Sequence, residues 1–588
     1  MKAVLYAILA ACSTPPAPDP APVVSPEPPP DETEPVDLWP DPGPPDPARI
    51  ADLAVARPRP VTDLQLWRVS TSMPLEGGEA RLVDVNPVIH SWYVLDVKSS
   101  AARGTWHLQV VDPSDRLTLD PAFTDGVTLI RGDRSTPCAL WSAPSALVAA
   151  AGTGKAWEPL CGGRVQLRSD VAGRKTALEF TTDFLRDNVA GGERITTLVK
   201  DAMPDRNLRE GQVRTSGGAA SAEGGPPRPL LDAARAGAAL EPTGLGLPLS
   251  GVEAGAALEA GRWYGVDGVP DVFVSAVLPE LVDPAIVSAL GASINPLDSI
   301  ERTALVWHVA FRLDAFDFDF ELGTDHPRVG WSERLSRSTP VPGPDGFDTV
   351  APFARTGRVP PYALADVVAT FVGGFKRSHG AMRSGDLAKV NNNSHYGFVS
   401  NGAVLSTLQP GLATFVIDAD GTVDLRTWSD ADDAELWRVR HARQNGVPVL
   451  ETTPDGTPRA GDLVRSWSQG NWSGSVEGNL RSLRAGACII DNGDTPYLLY
   501  GWFSAATPSA MAVVWASFGC RYGMLLDMNA LEHTYLSLHR FEADAWQVFH
   551  LDTGMAVLDK KAKDGITQPR FVSFSDNRDF FYVTRRRP

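Results

Sequence analysis

The 588-residue chain is short of cysteine, of positive charge and of long apolar runs, and each shortage removes a class of function. Its five cysteines match no zinc-ligand spacing, so no thiolate metal centre is read from them. A formal charge of −17 leaves no surplus of Lys and Arg for a phosphate backbone, which sets nucleic acid aside as a partner. The Arg585–Arg587 tail is too short to change that. Beyond the first dozen residues no apolar run is long enough to cross a bilayer as a helix. The GxSxG elbow, HExxH and the P-loop are missing too, against serine-hydrolase, zinc-protease and NTPase chemistry. No internal repeat is visible, and no motif calls for a cofactor, although a divalent cation has room in the scheme below.

What is present starts with Met1-Lys2, the apolar Ala3–Leu9 and Leu9-Ala10-Ala11-Cys12. This resembles a bacterial lipobox: residues 1–12 form the signal, and Cys12 is the acyl acceptor of a lipid anchor in the membrane. An ordinary secretory signal with an incidental cysteine is the alternative. Residues 13–60 are dominated by Pro with interspersed Asp and Glu, a disordered, extended linker that cannot bury a core. Anchor and stalk together place the chain in the bacterial cell envelope, at the outer membrane or cell surface. In an exported chain the four remaining cysteines pair, and proximity favours Cys138–Cys161 and Cys488–Cys520.

Residues 61–208 form a β-rich module, with strands at Ser91–Val97 and Thr105–Val111. Residues 209–247 are a low-complexity linker. Residues 248–588 have an α+β texture: mostly antiparallel sheets with packed helices. Ala304–Leu313, Phe316–Leu322 and Val367–Phe371 are strands, and Asn401-Gly402 and Asp420-Gly421 are hairpin turns. Asp433–Gln444 carries helical spacing, with Gly446 as a stop. A second helix begins at Thr507 (N-cap) and Pro508, and Gly519 closes it.

The segment Arg521–His539 then runs from the apolar Met524-Leu525-Leu526 into Asp527, Asn529, Glu532 and His533. A strand ending in acids, amide and imidazole is a common way to present a site. Gly373 and Gly374, followed by Lys376, Arg377 and His379, make the densest glycine-plus-cation loop, suited to an anion or to a charged surface hairpin. Trp467 and Trp472 could stack on a sugar or anchor a long loop.

Four pieces of residues 304–540 together resemble the phosphodiester glycosidase family, which includes the enzyme that uncovers mannose 6-phosphate by removing N-acetylglucosamine. They are FVGGF at Phe371–Phe375, the hairpin pair from Gly397 to Leu425, RSLRAGACIIDNGDTPYLL at Arg481–Leu499, and the closing helix with Gly519-Cys520 and Leu525–Asp527. Two loops differ. Met528-Asn529-Ala530-Leu531-Glu532-His533 stands where the family has glycines and serine, and Val372 replaces an asparagine.

The resemblance implies hydrolysis or binding of a sugar-phosphate or envelope glycan. Asp527 takes an acid/base or electrostatic role, or else caps a turn after a buried strand. Glu532 and His533 assist it. Arg484, at the position of the family's arginine, binds the phosphodiester together with Gly373, Gly374, Lys376, Arg377 and Asn529. The alternative is an inactive glycan-binding or envelope-scaffold protein that keeps the fold.

Overall fold

The computed structural model describes residues 64–176, 179–180, 208–214, 225–326, 354–375, 396–465 and 481–587, less positions 143, 212, 494 and 543–544, with 46, 48 and 51 besides. Cys12, almost all of the 13–60 linker, Lys376, Arg377, His379, Trp467 and Trp472 lie outside the described residues. Asp41–Pro588 clusters as one compact unit.

A six-stranded antiparallel sheet comes first, in the order Val69–Leu75, Gly78–Asp84, Trp92–Lys98, Arg103–Val110, Val165–Arg168 and Trp157–Leu160. Its third strand shows why both faces are covered. Side chains alternate along a strand, so Trp92 and Val94 enter one core while Tyr93, Leu95 and Val97 enter another. The second core is shared with Leu117, Val127 and Leu129 of a three-stranded sheet. The Cys138–Cys161 disulfide ties that sheet to the first, with Cα atoms 5.3 Å apart.

The central element is an eight-stranded antiparallel sheet. Its order is Tyr264–Val266, Val269–Val277, Val306–Arg312, Tyr497–Ala506, Ser482–Ile490, Tyr522–Met528, Leu450–Thr452 and Pro458–Ala460. One face carries the helix Pro508–Ser517, every residue of which is buried. Trp515 of that helix lies over a glycine floor. A Cβ on Gly486, Gly501 or Gly523 would come within 2.4, 3.2 and 2.5 Å of its indole. The Cys488–Cys520 bond fastens the residues after the helix to the middle of the sheet.

The opposite face packs Trp307, Tyr500, Trp502, Met524 and Leu526 against two five-stranded antiparallel sheets. One contains Phe316–Glu321, Phe580–Arg585, Val367–Val372, Leu536–Glu542 and Ala545–His550. The other contains Ala403–Ser406, Phe398–Ser400, Val439–Gln444, Ala413–Asp418 and Val423–Thr427, and its first hairpin turns at Asn401 (φ 50°) and Gly402 (φ 77°).

The expectation of an α+β C-terminal domain with packed helices is corrected. The described residues are β-rich, and the longest α-helix among them has ten residues. Asp433–Gln444 is the clearest case. Asp430–Arg438 is a 3₁₀ helix, and Val439–Gln444 is a central strand paired on both sides. Its polar side chains suggested the wet face of a helix. Instead His441, Arg443 and Gln444 are buried and bonded to partners distant in sequence, so a period-2 strand carries polar residues at core positions.

Candidate functional site

The site forms where the strand Tyr522–Met528 leaves the central sheet. On the neighbouring strand Gly486 pairs with Leu525, but Arg484 pairs with Met528. One residue of one strand, Ala485, therefore opposes two of the other, a β-bulge that takes in Leu526 and Asp527. Asn529 follows at φ 82°, a left-handed conformation that Asn tolerates better than any other side chain in this loop. Its N–H donates to Leu483 O at 2.8 Å. The chain then turns on Ala530 O, which accepts from His533 N and Thr534 N at 3.0 Å each.

Asp527 is 4 % exposed, and both carboxyl oxygens are engaged. Oδ1 accepts from Met528 N at 2.8 Å, and Oδ2 from Arg578 Nη1 at 2.5 Å. Arg578 Nε donates to Glu179 Oε1 at 2.6 Å, so one guanidinium bridges two acids. Glu179 is itself placed by a reciprocal cap. Thr176 N donates to its Oε2 at 3.1 Å, and Glu179 N donates to Thr176 Oγ1 at 3.1 Å. His533 Nδ1 donates to Met528 O at 2.8 Å, which leaves Nε2 facing Glu179 Oε1 at 3.9 Å.

Around this pair Arg570 forks onto Asp576, both bonds 2.9 Å, and donates to Glu532 O at 2.8 Å. Asp576 also accepts from Arg578 N at 3.0 Å. On the other flank Arg443 donates to Asp579 Oδ2 at 2.7 Å, to Gln444 O at 2.6 Å and to Phe375 O. Asn445 accepts from Phe375 N at 2.9 Å and donates to Leu525 O and Leu526 O at 2.9 and 2.6 Å. The Phe371–Phe375 loop is thus stitched to the strand end that carries Asp527. Gly373 and Gly374 are required by close approach: a Cβ would come within 2.5 Å of Asp579 Oδ2 and 2.8 Å of Asn445 Oδ1.

Three guanidinium groups (Arg443, Arg570, Arg578) face four buried carboxyl groups (Glu179, Asp527, Asp576, Asp579). One acid is in surplus, which favours a retained proton. Burial pushes Asp527 up to about 7 against the pull of Arg578. Burial lifts Asp579 as well. Burial alone would lift Glu179, but Arg578, His533 and Arg570 hold it well below the usual carboxylate range. A carboxyl group that exchanges its proton near neutral pH is suited to acid/base work.

Of the residues singled out from sequence, Asp527, Asn529, Glu532, His533, Gly373 and Gly374 come together here. Arg484 does not share this setting. It is buried between the strands, donating to Ala506 O at 2.8 Å and to Met528 Sδ at 3.3 Å; burial lowers it to about 9, partly offset by Glu301. Among the described residues no group of three or more His, Cys, Asp or Glu could hold a metal ion. Arg578, Glu179, Arg443, Arg570, Asp576 and Asp579 belong to the site without a motif that marks them as a group in sequence. Two signals pointed to some of them: Ser575-Asp-Asn-Arg-Asp579 is a polar burst beside an apolar strand, as at Asp527, and Thr176-Ala-Leu-Glu179 has capping-box spacing.

No protein-family model matches the chain, and no curated protein matches it. A zebrafish N-acetylglucosamine-1-phosphodiester α-N-acetylglucosaminidase catalytic domain, auto-inhibited by its pro-peptide, is 11% identical, covering 55% of this chain and 85% of that one, with a TM-score of 0.27. A protein of Burkholderia pseudomallei K96243 named as exported is 13% identical, covering 90% of this chain and 97% of that one, with a TM-score of 0.16. At those TM-scores neither fixes a fold or a function for this chain.

Proposed function

We propose that residues 248–588 act as a hydrolase on a sugar phosphodiester of the cell envelope. The observation that carries this is a buried carboxyl group, Asp527, at a bulged strand end, held by Arg578 and rimmed by the half-buried His533 and Glu532. In the reaction, the bond between the anomeric carbon and the phosphate oxygen breaks. The oxygen of water joins that carbon, one water proton passes to the ionised Asp527, and the phosphomonoester leaves with the bonding electron pair. A base with its midpoint near neutral pH suits this step. His533 Nε2 and Glu532 orient the sugar or the water. Lys376 and Arg377, next in sequence after Phe375, supply cations for the phosphate.

The chain as a whole is read as an exported lipoprotein anchored through Cys12. Its two disulfides favour an oxidising compartment. The test is sugar release from sugar 1-phosphodiesters by the full chain and by Asp527→Asn. Equal release by both overturns the assignment. The burial of Asp527, with both oxygens engaged, favours a second reading, a glycan-binding or scaffold protein without turnover. Binding of a sugar phosphate with no release would decide for it.

A further inference from the structure

Glu179 lies 399 residues from Arg578 in sequence and belongs to the β-rich N-terminal stretch, yet its carboxylate sits on the same guanidinium as that of Asp527. We propose that Glu179 is a positioning residue of the Asp527 site, whose negative charge divides Arg578 between two acids so that the buried acid keeps a proton. The catalytic consequence rests on the proposed role of Asp527; the electrostatic coupling does not.

The groups that bear on Asp527 come from every element packed around it. Arg578 and Asp579 precede the strand Phe580–Arg585, Arg443 stands on Val439–Gln444, and Tyr500 stands on Tyr497–Ala506. Around Arg578 itself lie Glu179, Arg570, Glu532 and His533. With Glu179 ionised, the cluster holds four carboxyl groups against three guanidiniums. Neutralising Glu179 balances the count. Arg578 is then free to serve Asp527 alone and opposes the effect of burial more strongly, so the retained proton is held less tightly.

Glu179→Gln makes this separable from folding. Gln serves the capping box as well as Glu does, so with its amide oxygen on Thr176 N the reciprocal bonds survive, while the charge and the acceptor facing Arg578 Nε are lost. The Asp527 titration can be read without substrate, from the pH dependence of unfolding free energy of each chain minus that of its Asp527→Asn partner. The midpoint is expected to fall by about one to two pH units in Glu179→Gln. Glu179→Asp, which keeps the charge, should leave it near the wild-type value. The proposal is overturned if the Gln variant titrates with the wild type, or if the Asp variant shifts as far as the Gln variant. In the sugar-release assay the acidic limb of the pH profile, where release rises as Asp527 ionises, should move with the midpoint. Absence of release from the wild type overturns the catalytic role and leaves the titration to judge Glu179.

Discussion

Removing one charge from the joint between the N-terminal sheet and the rest of the unit should cost more than removing both. Arg168, at the end of the strand Val165–Arg168, is 2 % exposed and stacks on the rings of Trp92 and Trp157 at 3.9 and 4.7 Å. It donates to Glu321 Oε1 at 2.5 Å, to Oε2 at 3.3 Å, and to Gln109 Oε1. Glu321, on the strand Phe316–Glu321, is 1 % exposed, and burial raises it despite Arg168. Arg168→Met therefore leaves a buried carboxyl group without its counter-charge, at a cost of about 3–5 kcal/mol. Arg168→Met with Glu321→Met replaces the pair by apolar side chains, and most of that loss should return. Urea unfolding of the four chains gives the coupling, expected at roughly 2–3 kcal/mol. A single-variant loss below about 1 kcal/mol, or additive losses, would refute the argument that this pair joins the two sheets.

Other outcomes follow from the same chemistry. Asp527 has its folded midpoint raised from 3.8 to about 7, so it contributes stability below about pH 4 that is lost as pH rises through 7. Relative to Asp527→Asn, the wild type should lose roughly 3–5 kcal/mol between pH 4 and 7, and a flat difference in thermal or urea unfolding contradicts the raised midpoint. Gly374→Ala places a Cβ 2.8 Å from Asn445 Oδ1, an amide held by three bonds, and should destabilise by about 1–3 kcal/mol in urea unfolding.

The parts legible in sequence are those with local causes. The Asn401-Gly402 turn, the Thr507 cap, the apolar strand ending at Asp527 and the two disulfides need only neighbours or proximity along the chain. The charges that surround Asp527 have no such signature. Arg443, Glu179 and Arg578 are buried by partners 136, 399 and 51 residues away, and a long-range ion pair reads in sequence like a solvated side chain. The same effect turned a buried polar strand into an expected helix at Asp433–Gln444. In sequence Gly373 and Gly374 suit an anion-binding backbone, whereas the space they leave is filled by Asp579 and Asn445.

The most direct measurement is sugar release from a sugar 1-phosphodiester across pH 5–9 by the wild type and Asp527→Asn. Release by the wild type that rises through about pH 7 and falls on the order of 100-fold or more in the variant is the predicted result. Equal rates in the two chains, or no release from either, would contradict it.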